Sequence, residues 1–483
     1  RPVPDRIRPP RLPGNRVVRR RQQATTIISV SNVQTRREVP SVRANAQKFG
    51  AGFVLLVAIG SLLLMLPYAT ESGDTTPWTD TFFTSMSAAS VTGLVTLETQ
   101  EHWSFFGEVV ILCLIQIGGL GFMVGASLVL ASLRRGRSLR DTMMLQDGSP
   151  TLTLSEASDL SKRILRFTIV TESIGAVLLT IRFMADEEPH IAIWYGIFHS
   201  ISAFCNAGFD LLGGFRSLAE YNSSIWVNLV IMALIQAGSL SFMFFSDIRK
   251  ERKWNRLALD TKLILVSNLT LIVVGATLFL TIEWNNGLAS TPDWAKPMSA
   301  LFQSVSARTA GFATVSFGDL HESTLFLWTG VMMVGGASGS TAGGVKLATA
   351  AIVVIAVSST IRGQPEAQAF GRRISPSLVF RAMAIIALFL GMFFVISFAL
   401  AASEDVISNN DFSFIQLATE TMSAMATVGI STGITPNLSD LGKIILSFAM
   451  LFGRLGPLTA VYALQRRSRP ARYRHPEATI RLG

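Results

Sequence analysis

The sequence predicts an all-α membrane protein made of four pseudo-repeats, each a span, a re-entrant pore helix and a second span, around a central pore. Three observations predict it. Of 483 residues, 49% are hydrophobic and only 15% charged, too few charges for a water-facing surface and suited to a lipid-facing one. A short loop ending in glycine, preceded by a small-residue helix too short to cross a bilayer, occurs four times. Basic and acidic loops alternate along the chain.

The four loops are Val91-Thr92-Gly93, Asn206-Ala207-Gly208, Thr309-Ala310-Gly311 and Thr427-Val428-Gly429. Each follows a helix carrying a spaced hydroxyl pair: Ser85/Ser87, Ser200/Ser202, Ser304/Ser306 and Thr421/Ser423. A Thr-Val-Gly loop after a short helix is how a potassium filter is built, because consecutive backbone carbonyls replace an ion's water shell. A single such glycine would be an ordinary turn residue. Four in one layout imply four-fold pseudosymmetry, with K+ held at the filter carbonyls. Val91 and Asn206, where the other loops have threonine, make the ring asymmetric and leave Na+ open as a second carried ion.

The elements follow in order. Residues 1–48 form a basic tail with Arg19-Arg20-Arg21 and Arg36-Arg37, unable to bury a core and suited to solvent or anionic membrane lipid. Repeat 1 (49–133) holds spans at 49–66 and 105–133 around a short helix at 78–89. Repeat 2 (134–246) holds spans at 164–184 and 225–246. Repeat 3 (247–357) holds spans at 263–282 and 325–357, and repeat 4 (358–464) spans at 379–402 and 441–464. Residues 465–483 form a second basic tail.

Charge sets the orientation. Arg134-Arg135-Gly136-Arg137, Arg249-Lys250-Glu251-Arg252-Lys253, Arg372-Arg373 and both tails belong in the cytoplasm, which makes a multi-pass cell-membrane protein with cytoplasmic termini. The alternate loops carry acidic residues such as Glu98, Asp186 and Asp293, so all four short helices dip in from outside beneath an acidic mouth. A net charge of +10 raises nucleic acid as a partner, but the basic residues sit between spans and exclude it. Cys113 and Cys205 make no disulfide framework, and His102, His199 and His321 have no metal-ligand spacing. No constellation at membrane depth supports catalysis, so an enzyme is not expected.

Gly335-Gly336-Ala337-Ser338-Gly339-Ser340-Thr341-Ala342-Gly343-Gly344-Val345-Lys346 interrupts the second span of repeat 3 and is predicted to break its helix. It imitates a phosphate-binding loop, but Val345 separates Gly344 from Lys346 and no strand precedes it. Unwound backbone at membrane depth survives where it lines an aqueous cavity. The segment therefore reads as a gate below the filter, carried by Gly335, Gly336, Ser338, Gly339, Ser340, Thr341, Gly343, Gly344 and Lys346. Small-residue clusters in the inner helices align Gly119, Ser239, Gly336 and Arg454, which brings Arg454 level with the gate. For Arg454 and Lys346 two readings stand: a positive barrier below the filter, or cations that bond loop carbonyls without gating. Arg308 reads as structural, behind the filter and paired with Glu420.

These motifs resemble the Trk/Ktr/HKT superfamily of potassium and sodium translocating proteins. The resemblance is carried by the four loops, by the string from Phe302 to Phe312, by Ser338 to Lys346 and by Phe452-Gly453-Arg454. It is strongest to KtrB-type membrane subunits, with TrkH-type chains as near relatives. The resemblance implies a cation-translocating homodimer with one pore per protomer, its gate loop facing Arg454. It also implies a cytosolic ring of KtrA- or TrkA-like nucleotide-binding regulatory subunits. Sodium-favouring members carry serine at the first filter glycine, so Gly93 argues for potassium. Two departures stand out: Cys205 occupies a position where asparagine is common, and the third short helix has one residue fewer before Gly311. The alternative is a secondary transporter with a midplane solute and coupling-ion site in the glycine-broken span.

Overall fold

Long apolar runs form the long helices, and proline, glycine or polar clusters end them. The structure, a computed structural model, describes residues 42–135, 154–408 and 410–456. The first set is α1 (Val42–Leu64), ended ahead of Pro67, then the short α2 (Trp78–Ser90) and the long α3 (Phe105–Arg135). Then come α4 (Leu154–Phe183), the short α5 (Pro189–Cys205) and α6 (Ile225–Ser239). α7 (Phe242–Glu251) leads to α8 (Leu259–Glu283), the short α9 (Lys296–Ser306) and α10 (Glu322–Met333). After the glycine-rich segment comes α11 (Leu347–Ile361). The last set is α12 (Pro376–Ala401), the short α13 (Phe414–Ala426) and α14 (Asp440–Leu455). Both predicted tails, apart from residues 42–48, lie outside the described residues, as does the end of the predicted span at 441–464.

Apolar side chains sort by helix. Leu55 and Leu62 on α1, Ile169 and Val177 on α4, Leu269 and Val273 on α8, and Phe394 and Phe398 on α12 are exposed. These outward faces suit lipid. The short helices are instead buried along most of their length although rich in serine and threonine, because they pack among the long ones.

Three described helices are long and apolar enough to cross a bilayer: Asp159–Phe183, Leu259–Glu283 and Pro376–Asp405. α6 and α7 make a fourth if counted as one span, bent by 90°. This corrects the continuous span expected at 225–246. The carbonyls that would carry α6 onward are used elsewhere: Gly238 O accepts from Thr341 N–H at 3.3 Å, and Ser239 O from Ala337 N–H at 2.8 Å. Ser241 then takes φ +70°, a conformation a non-glycine residue adopts only under constraint. The span expected at 325–357 is broken at the glycine-rich segment, into α10 and α11.

Beyond α11, strands β1 (Gln368–Ala369) and β2 (Arg372–Arg373) form a small antiparallel hairpin. Its tip residue Phe370 stacks edge-on against Trp254.

Candidate functional site

Each short helix delivers its C-terminal end into one of the four glycine loops, and each loop has positive φ at its first and third residues. The values are +58° and +93° for Val91 and Gly93, and +60° and +71° for Asn206 and Gly208. They are +65° and +81° for Thr309 and Gly311, and +52° and +91° for Thr427 and Gly429. Switching the sign of φ at alternate residues turns successive carbonyls to one side of the chain, unlike the alternation of a strand. Glycine adopts such angles freely, whereas Val91, Thr309 and Thr427 are β-branched and strained there, so something must hold them.

The second hydroxyl of each sequence pair does so. Ser87 O accepts from Thr92 N–H at 2.8 Å and Ser87 Oγ from Gly93 N–H at 3.1 Å; Ser423 serves Val428 and Gly429 in the same way, at 2.8 and 3.0 Å. In the other two loops the hydroxyl donates instead, Ser202 to Phe209 O at 2.7 Å and Ser306 to Phe312 O. The residue missing before Gly311 is absorbed in the turn. Ala310 N–H bonds Ser306 O, four residues back, where Thr92, Ala207 and Val428 reach five residues back.

The first hydroxyl of the pair tethers the short helix to the long helix before it. Ser85 Oγ donates to Val57 O at 2.8 Å, Ser200 Oγ to Glu172 O at 2.7 Å and Ser304 Oγ to Ile272 O at 2.9 Å. Gly60, Gly175 and Gly275 make room for these hydroxyls. Thr421 departs from the pattern and bonds Leu417 O within its own helix.

The four loops meet one another in cyclic order. A Cβ on Gly208 would lie 2.8 Å from Ala310 O, and one on Gly311 2.6 Å from Val428 O. Closer still, Gly93 lies against Ala207 O and Gly429 against Thr92 O. Loop one thus touches two, two touches three, three touches four and four returns to one. All the loop residues are buried.

The ends of the glycine-rich segment are joined by Gly335 N–H to Val345 O at 2.9 Å, Val345 N–H to Met333 O at 3.0 Å and Leu347 N–H to Gly336 O at 3.0 Å. Among the predicted gate residues from Gly335 to Lys346 only Ser338 and Lys346 are partly exposed. The segment presses on the loops: Gly343 against Thr427 Oγ1, Gly335 against Thr309 Cγ2, and Thr341 Oγ1 at 3.4 Å from Asn206 Oδ1. Arg454, buried in α14, donates to Thr341 O and, at 2.9 Å, to Gly118 O. Lys346 Nζ donates to Ala342 O and Gly343 O. Gly339, Ser340 and Gly344 complete the turn, Gly339 and Gly344 at φ +79° and +61°.

The pairing expected between Arg308 and Glu420 does not form. Arg308 Nη2 donates to Val331 O at 2.9 Å, while Glu420 accepts from Ser431, Thr432 and Thr435 at 2.7–3.0 Å. A loop of hydroxyls and an amide beside Glu420 satisfies the carboxylate without a cation. Cys205 lies against Gly119, with its thiol 3.5 Å from Gln116 Oε1. Sequence reasoning missed the ion pair of Asp80 with Lys443, 2.7 Å apart and each side chain 11% exposed, which ties α2 to α14. An acid in the first turn of a short helix was its one visible signal. Outside the membrane-spanning helices, burial raises the pKa of the Glu98 carboxyl, although Phe215 N–H donates to it at 2.6 Å.

Apolar outward faces, buried short helices and interlocked glycine loops define a multi-pass helical membrane protein of the cation-transport class. The chain belongs to the TrkH family of cation transport proteins, whose family model matches residues 17–469. It is 36% identical over 441 residues to the potassium/sodium uptake protein NtpJ of Enterococcus hirae, covering 90% of this chain and 97% of that protein. It is 35% identical over 439 residues to the Ktr system potassium uptake protein B of Bacillus subtilis, covering 90% and 96%. The crystal structure of the potassium transporter TrkH from Vibrio parahaemolyticus shares the fold, with a TM-score of 0.70 at 20% identity over 89% of this chain and 86% of that one.

Proposed function

We propose that this chain takes up potassium across the cell membrane through a pore lined by four pseudo-repeats, with Na+ as a secondary passenger. The observation that carries the reading is the closed cycle of contacts among the loops at Gly93, Gly208, Gly311 and Gly429. Such a cycle gives carbonyls from four sides one common axis, on which they replace a cation's hydration. The short helices support it, since their C-terminal, partially negative ends lead into the loops and favour a cation there. A membrane potential then favours inward movement by about 2.3 kcal/mol per charge per 100 mV.

In this reading the segment from Gly335 to Lys346 is the gate, and Arg454 is its latch to α14. The relatives named as Ktr system proteins support a multicomponent system. A homodimer bound to a cytosolic nucleotide-binding ring, with both termini in the cytoplasm, completes the proposal.

Rubidium uptake into sealed vesicles holding the purified full chain, with and without an imposed potential, tests it. Uptake that follows the potential and is competed by K+ is expected. Slow, saturating uptake fixed in stoichiometry to a second solute would instead establish the secondary transporter.

A further inference from the structure

Of the four residues that open the filter loops in left-handed backbone, Asn206 alone is bonded through its side chain. Val91 is apolar, and the buried hydroxyls of Thr309 and Thr427 have no hydrogen-bond partner. Asn206 Nδ2 donates to Arg308 O at 3.1 Å, the carbonyl immediately before the third loop. Its Oδ1 faces Thr341 Oγ1 at 3.4 Å, a hydroxyl shared with Phe204 O at the same distance.

Thr341 is itself a junction. Its N–H bonds Gly238 O at 3.3 Å, its carbonyl accepts from Arg454, and its hydroxyl reaches the second filter loop. Gly238 lets this happen: a Cβ there would stand 2.9 Å from both Asn206 Oδ1 and Thr341 Oγ1. The chain of contacts runs from Arg454 through Thr341 and Asn206 to the base of the third loop.

We infer that Asn206 and Thr341 couple the gate to the filter, so that displacing the gate loop changes K+/Na+ discrimination as well as flux. The inference rests on the filter-and-gate reading above. When Thr341 leaves, Asn206 Oδ1 loses a buried donor, and the amide must turn to find another. That turn releases Arg308 O and loosens the third loop beside Thr309. Carbonyl spacing then adapts more readily to the smaller ion. By thermodynamic reciprocity, K+ held in the filter favours the closed loop. Asn206 and Thr341 are positioning residues for selectivity, acting through Arg308 and Thr309.

The test compares rubidium and sodium uptake by the reconstituted full chain in the parent, Thr341→Val, Thr341→Ser, Asn206→Val, Arg454→Ala and Asn206→Val/Arg454→Ala. Arg454→Ala is expected to raise flux and to lower the rubidium-to-sodium ratio. Thr341→Val lowers that ratio about fivefold, the factor for one net hydrogen bond, and Thr341→Ser restores it. In the Asn206→Val background, Arg454→Ala raises flux with no further change in ratio. Raised flux in Arg454→Ala with the parent's ratio overturns the coupling and leaves the gate standing. Unchanged flux in folded Arg454→Ala overturns gate and coupling together. A Thr341→Ser chain as unselective as Thr341→Val also overturns the coupling, since the hydroxyl would then be irrelevant.

Discussion

Gly429 packs so closely on the carbonyl oxygen of Thr92 that no Cβ would fit between them, and the last glycine loop of the chain thereby closes onto the first. A methyl group at Gly429 would meet that oxygen and also sit on backbone at φ +91°. Gly429→Ala is therefore expected to cost about 1–3 kcal/mol by overpacking, with a comparable strain term, and to reduce rubidium uptake sharply. Gly433→Ala is the control, because φ there is +88° with nothing within 4 Å of the added methyl. Vesicle uptake and thermal unfolding of both variants separate collision from strain. Gly93→Ser places its side chain against Ala207 O and is expected to admit more Na+; an unaltered K+/Na+ ratio would count against the ring.

Removing Gly339 to Gly343 shortens a segment whose two ends are joined by Gly335 N–H to Val345 O and Leu347 N–H to Gly336 O. The deletion takes out Thr341 and Gly343, which touch Asn206 and Thr427 of the second and fourth loops. Basal rubidium leak is expected to rise severalfold. A folded deletion variant with parental leak rates would remove the gate from the proposal.

Ser423→Ala leaves the Gly429 N–H without its acceptor at 3.0 Å in a fully buried place. The loss should cost about 1–3 kcal/mol. Ser72→Ala, at an exposed hydroxyl that Asp74 N–H reaches only at 3.4 Å, is expected to cost less. Denaturation midpoints in one detergent compare the two.

Breaking the Asp80–Lys443 pair leaves one buried charge alone. Asp80→Asn and Lys443→Met are each expected to destabilise by about 3–5 kcal/mol. The double variant should recover part of that loss, and equal losses in single and double variants would show the pair to be uncoupled.

His102, outside the membrane-spanning helices, bonds Thr76 Oγ1 at 2.8 Å, and burial lowers its pKa from 6.5 while Asp80 opposes the shift. The folded state thus disfavours the protonated ring. Its contribution to stability is present above 6.5 and is lost as pH falls through the depressed folded value. His102→Gln should flatten the acid limb of a stability-against-pH curve, as melting temperatures at stepped pH would reveal.

Much of this was legible from spacing. The glycine loops, the hydroxyl pairs and the break after Met333 are local patterns, and each sits where sequence places it. What could not be read were choices made across the fold. Arg308, just past the third short helix, and Glu420, on the fourth, are opposite charges, yet hydroxyls nearer in the chain take Glu420 first. The bend after Ser239 was hidden because nothing within 225–246 forbids a helix; amides of Ala337 and Thr341, a hundred residues on, claim its carbonyls. Gly118, Gly238 and Gly453 read as packing glycines, and so they are, but only geometry tells that they receive the carbonyls of Ala89, Phe204 and Met425.

The cyclic contact of the loops has a genetic corollary. A selectivity ring assembled from identical subunits changes on all sides with any single mutation. In the filter proposed for this chain Val91, Asn206, Thr309 and Thr427 are separately encoded, so one codon would alter one wall and leave three in place. Ion preference in such a chain can drift by small increments, each tolerable alone.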